Sequence, residues 1–159
     1  ETVEVFFANN QILFRSEHIS FYTRLLEGNY PDTDRLIPTE FNTEATFNVA
    51  NLRFAMERAR LLSNATQNGT VKLEFKNGVV SSHVHSPEVG RVNEEIDTSA
   101  VSGEDLSISF NPTYLIDALK AIDSEKVTIS FISSVRPFTL VPSEDTENFI
   151  QLITPVRTN

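Results

Sequence analysis

The chain has 159 residues, 40% of them hydrophobic and 12 of them Phe, with no Cys and no Trp. That suits one domain with a real core, or one domain and part of another, and the lack of Cys excludes a disulfide scaffold, a thiolate metal site and a cysteine nucleophile. Lys and Arg number 13 against 22 Asp and Glu, a net charge of −9, which argues against a generally basic nucleic-acid binder and leaves room only for a locally basic surface.

In chain order, the first predicted element is the strand Val3-Glu4-Val5-Phe6-Phe7, whose alternating apolar residues share a face. Ala8-Asn9-Asn10 turns it into a second strand, Gln11 to Arg15. Two readings compete for Ile19 to Leu26. Ser16-Glu17-His18 before it and Gly28 after it suggest a capped helix, whereas Phe21, Tyr22 and Thr23 favour a third strand. Gly28 to Asn42, with Pro31 and Pro38, reads as a connector. Phe47-Asn48 then ends a short strand and opens an amphipathic helix with Leu52, Ala55, Met56, Ala59 and Leu62 on one face. Arg53, Glu57 and Arg60 are expected on its solvent face, with Phe54, Arg58 and Leu61 as a lateral stripe.

Val71-Lys72-Leu73-Glu74-Phe75 is the next strand, joined through Asn77-Gly78, the strongest hairpin signal in the chain, to Val79 to Ser86. Arg91 to Ile96 closes that meander. Phe110-Asn111 ends another strand. Asn111 and Pro112 are the N-cap and first residue of a second helix, with Leu115, Ala118, Leu119 and Ile122 on its core face. Val127-Thr128-Ile129-Ser130-Phe131 follows, then a turn at Ser133-Ser134, a strand from Val135 to Val141 and a closing apolar segment, Phe149 to Val156. The phrases at 3–7, 71–75 and 127–131 repeat one pattern, each opening a three-stranded meander. The unit is therefore strand, helix, meander, and this repeat assigns Ile19 to Leu26 to a strand. The middle and last units are complete, whereas the first opens at its meander, so the chain reads as starting inside a unit. The expectation is an α+β fold of antiparallel sheets, with residues 1–38 finishing one domain and 39–159 forming the next.

Catalytic signatures are sparse. HExxH, GxSxG, Walker-type and GxGxxG patterns are absent. His83 and His85 share one strand face and, with Glu88, could serve a small metal-binding or hydrolytic site. Beside Ser81 and Ser82 they fit a polar outer face far more simply. Glu94 and Glu95 would point to opposite faces of their strand, a poor start for an acid–base pair. The first helix carries three Arg against one Glu, a local sign reversal that points towards an anionic partner.

The connector Leu25-Leu26-Glu27-Gly28-Asn29-Tyr30-Pro31-Asp32-Thr33-Asp34-Arg35-Leu36-Ile37-Pro38 resembles a segment of the bacterial sliding clamp, the beta subunit of DNA polymerase III. Leu61-Leu62-Ser63-Asn64, Glu94-Glu95-Ile96, Phe110-Asn111, Tyr114-Leu115-Ile116-Asp117-Ala118-Leu119 and the ending Pro155-Val156-Arg157 match it in order, over the whole chain. The resemblance implies the DNA-clamp fold, a ring dimer in the bacterial cytoplasm that encircles duplex DNA, with no catalysis and no cofactor. It implies docking of peptide motifs from DNA polymerase, clamp-loader and repair proteins into a pocket between the middle and C-terminal domains. That pocket would draw on Pro31, Arg35, Leu36, Asn111, Tyr114, Val135, Pro137, Leu152, Ile153, Thr154, Pro155, Val156 and Arg157. The dimer face would include Phe54, Arg58, Leu61, Leu62, Glu94 and Glu95, and the DNA-facing side Arg53, Arg60 and Lys120. By alternation, Leu152, Thr154 and Val156 oppose Ile153 and Pro155, so to line one pocket the last strand must bend at Pro155 or contribute backbone groups near its end.

Overall fold

The structure, a computed structural model, describes residues 2–30, 32–33, 35–63, 69–86, 90–144 and 149–157. The chain divides into two units, 1–34 and 35–159.

In the first unit, β1 (Glu4–Phe7), β2 (Gln11–Arg15) and β3 (Ser20–Arg24) form an antiparallel meander in that order. Glu4 sits opposite Arg15, whose Nε and Nη2 donate to the Glu4 carboxylate at 3.0 and 2.8 Å while the guanidinium lies 5.1 Å from the Phe6 ring centre. Phe14 pairs in register with Phe21, ring centres 6.2 Å apart. Such cross-strand aromatic pairs are what residues 20–24 gain as a strand and would lose as a helix. No described residue of this unit is buried.

The second unit runs β4 (Thr43–Asn48), α1 (Val49–Ser63), β5 (Val71–Lys76), β6 (Val79–Ser86), β7 (Gly90–Ile96), β8 (Ala100–Gly103), β9 (Leu106–Phe110), α2 (Pro112–Lys120), β10 (Lys126–Phe131), β11 (Phe138–Pro142) and β12 (Gln151–Ile153). Its two repeats exchange their opening strands. The sheet built on the first meander has the order β7-β6-β5-β9, and that built on the second β12-β11-β10-β4-β8. Val71 pairs with Phe110 and Val127 with Phe47, so the repeated Val of each meander faces the repeated Phe of the other unit.

Phe75 packs on Phe131 and Phe110 on Phe138, at 4.9 and 5.1 Å, which joins the inner faces of the two sheets. The helices pack on each other and α1 also lies on β6 and β7. Both helices start on the asparagines the repeat predicts. The Asn48 side chain accepts from the Asn51 N–H at 3.0 Å and the Asn111 side chain from the Thr113 N–H at 2.9 Å. At the β5–β6 turn, Asn77 and Gly78 take φ of 51° and 78°, as a two-residue hairpin loop of this kind requires.

Three local expectations are corrected. β11 begins at Phe138, not Val135, because Pro137 has no N–H for the ladder and restrains the residue before it. β8, which the sequence reading does not contain, adds an edge to β4. On α1, the buried stripe Val49, Leu52, Ala55, Met56 and Ala59 is centred opposite Phe54 and Leu61, so those two and Arg58 face solvent. Arg53, Glu57 and Arg60 flank the stripe and are half-buried.

Candidate functional site

The last described residues, 151–157, do two things in succession. Through Ile153, β12 pairs with β11, with Ile153 opposite Phe138 and buried in the core and Leu152 turned to the other side. Pro155 has no N–H to extend that ladder, and the next one, of Val156, donates instead to the Ser109 carbonyl on β9 at 2.7 Å. The tail therefore leaves one sheet and crosses to the edge of the other. Its bend makes two hollows where the sequence reading expects one.

Tyr114, Asp117, Ala118 and Ala121 line the first, a cleft of about 420 Å³, at helical spacing along α2, opposite Gln151, Leu152, Ile153 and Thr154. Tyr114 is 58% exposed, its ring standing over the cleft instead of in the core. The second hollow, about 440 Å³, is lined by Val135, Val156 and Arg157 together with Lys72, Ser107, Ser109 and Ser134.

Of the sequence-derived pocket set, Tyr114, Leu152, Ile153 and Thr154 meet in the first hollow, and Val135, Val156 and Arg157 in the second. Arg35 and exposed Leu36 line neither, nor do Pro137 and Pro155, and Pro31 lies outside the described residues. Asn111 caps α2 and lines neither. Asp117, Ala118 and Ala121 were missed although Tyr114 predicts them by helical spacing. Lys72, Ser107 and Ser109 carry no local signal, since only the β5–β9 register brings them to the tail.

The other predicted surfaces have definite geometry. Arg58 donates through Nε, at 3.2 Å, and through Nη2 to the two carboxylate oxygens of Glu94, tying α1 to β7. This hydrogen bond raises the Arg58 pKa, burial opposes it, and the charge of Glu94 adds a lesser upward effect. Glu95 points away and sits opposite Ser81. Phe54 and Leu61 are 50% and 72% exposed, whereas Leu62 packs partly on the core. Arg53 lies 3.8 Å from Glu57 and over the Phe54 ring, and Lys120 donates to Asp117 at 3.2 Å.

His83 is already engaged, with Ser81 Oγ and Glu74 Oε2 at 2.9 and 3.2 Å from Nε2 and Asn93 Oδ1 at 2.8 Å from Nδ1. His85 is exposed and Glu88 lies outside the described residues, among which no three potential ligands converge. Nor is any described helix long and apolar enough to cross a membrane.

Residues 34–157 match the family model described as DNA polymerase III beta subunit, C-terminal domain. The whole chain is 83% identical to a beta sliding clamp of Streptococcus pneumoniae and 55% identical to that of Lactococcus lactis, covering 42% of each. Among solved structures, it aligns over 98% of its length with the beta subunit from DNA polymerase of Streptococcus pyogenes, at 71% identity, a TM-score of 0.86 and 42% of that chain. The DNA polymerase sliding clamp of Bacillus subtilis aligns with 99% of this chain and 41% of its own, at 39% identity and a TM-score of 0.83. The chain thus spans well under half the length of the relatives it matches.

Proposed function

Since the chain belongs to the family of the DNA polymerase III beta subunit, C-terminal domain, we propose that it works as part of a sliding clamp in the bacterial cytoplasm. There it holds DNA polymerase, clamp-loader and repair proteins by docking their peptides and catalyses nothing itself. The clamp is a ring dimer that encircles duplex DNA. Residues 1–38 complete its middle domain and 39–159 form the C-terminal one. Phe54, Arg58, Leu61, Leu62, Glu94 and Glu95 belong to the dimer face, and Arg53, Arg60 and Lys120 face the DNA.

The observation that carries the docking role is the cleft between Tyr114 on α2 and Leu152 to Thr154 on the tail. An exposed aromatic over an apolar floor, beside an unextended strand end, suits a short peptide with large apolar side chains. Two or three such side chains contribute about 1.5–3 kcal/mol each on full burial. After ordering costs they fall short of the roughly −8 kcal/mol of a micromolar complex. Main-chain hydrogen bonds to the tail are needed as well, so the expected affinity is micromolar.

The test is fluorescence anisotropy with a labelled peptide of the type Gln-Leu-Ser-Leu-Phe. It is titrated with the intact chain, with Tyr114→Ala and with a chain lacking residues 155–159, each checked for folding by circular dichroism. We expect micromolar binding by the intact chain and at least about a tenfold loss in both variants, the scale of an interface hot spot. Equal binding by all three would place the peptide elsewhere.

A further inference from the structure

The second hollow has a different chemistry from the first. Lys72 lies directly opposite Ser109 in the β5–β9 register and Ser107 is two residues along β9, so these three side chains leave the sheet on one face. Arg157 approaches from the tail, whose position is set by the bond from the Val156 N–H to the Ser109 carbonyl. Neither Lys72 nor Arg157 has an ion-pair partner among the described residues. Glu74, on the Lys72 face, is engaged by His83 at 3.2 Å and does not line the hollow. Two cations and three hydroxyl-bearing residues therefore line the hollow and no carboxylate does, although Glu74 sits opposite Ser107 in the register, on a chain of net charge −9. Two cations without an ion-pair partner, converging on one hollow, are what an anion requires.

We propose that this hollow is an acidic-residue subsite, taking the carboxylate of an Asp or Glu that flands the apolar motif of a docked peptide. The inference rests on the peptide-docking reading above and extends it. One stretch of tail joins the two hollows: Thr154 lines the first and Val156 the second. Two residues of extended chain span about 7 Å, so a peptide lying along the tail reaches from one to the other. Two cations match one or two carboxylates, whereas a nucleic-acid backbone would need a longer basic track.

The experiment uses the neutral peptide and two versions with a Glu-Glu pair before or after the motif. Each is titrated by anisotropy against the whole chain, Lys72→Met and Lys72→Arg, at low and high salt. Lys72 is exposed, so neither substitution disturbs the core. We expect one acidic version to bind about fivefold tighter than the neutral peptide at low salt, the scale of a partly exposed ion pair, and the gain to shrink in high salt. Lys72→Met should cancel the gain without changing binding of the neutral peptide, and Lys72→Arg should restore it. If the neutral peptide binds but neither acidic version gains, or the gain survives Lys72→Met, the subsite is overturned while the docking cleft stands. Failure of the neutral peptide itself overturns the docking reading and the subsite with it. A labelled duplex that loses affinity in Lys72→Met, with the peptides unaffected, would reassign the hollow to nucleic acid and also overturn the proposal.

Discussion

Gly103 ends β8 opposite Thr43, at a φ of +97°, and a Cβ there would overlap the Asn42 carbonyl oxygen. Both the backbone conformation and the close approach thus require glycine. Gly78 has a similar φ of +78° but open space around it. Gly103→Ala should therefore destabilise by more than about 2 kcal/mol, and Gly78→Ala by only about 1 kcal/mol. Urea denaturation of the two variants checks this, and equal losses would show that the β8 edge yields to the added methyl. The Arg58–Glu94 pair is the opposite case. Its geometry is bidentate, but Arg58 is 56% exposed, so the pair contributes within about 1 kcal/mol. Because its pKa is raised in the fold, the Arg58 contribution is fully present below the ordinary guanidinium range and is lost only above it.

The two helices begin in the same way although their sequences differ. Each follows a strand ending in Phe-Asn, and each asparagine side chain accepts an N–H of the first turn that would otherwise lack a partner. At α2, Pro112 adds a φ already suited to the helix. Asn111→Ala should cost about 1 kcal/mol, whereas Asn111→Asp, which keeps the acceptor, should cost a few tenths at most. Thermal unfolding measures both. A loss of peptide binding in Asn111→Asp with unchanged stability would instead show that the side chain works in docking. Among strands, the Pro155 step is the informative one. It stops β12 and redirects the following N–H to β9, and this separates the two hollows.

Every buried hydrophobic residue among the described ones lies within 35–159, and the strand exchange makes that unit indivisible, since neither meander has its fourth strand without the other repeat. The three strands of the first unit bury nothing among the described residues, and an isolated small sheet is at best marginal in water. A polypeptide of residues 35–159 should therefore unfold cooperatively, with a stability within about 0.5 kcal/mol of the whole chain's, and residues 1–34 alone should be unstructured. Denaturation of the first and circular dichroism of the second decide this. A 35–159 polypeptide that fails to fold would show that the first unit supplies part of the core.

The repeats, the three meanders, both helices with the Asn111 cap of the second, and the Asn77-Gly78 turn were legible in the sequence. Each rests on alternation, helical spacing or backbone preference within a few residues. So was the opposition of Glu94 to Glu95. The connector and terminal motifs carried the family resemblance in the same local way. The exchange of β4 and β9 between meanders was not legible, because each strand has the same pattern whichever partner it takes. Nor were the edge strand β8 and the outward face of α1, since neighbouring elements choose which helix stripe is covered. For the tail, alternation left two alternatives, a bend at Pro155 or backbone groups near its end in the pocket, and did not choose between them. Where the tail went depended on Ser109, 47 positions earlier in the chain, and only tertiary packing could bring that carbonyl, Lys72 and Arg157 to one place.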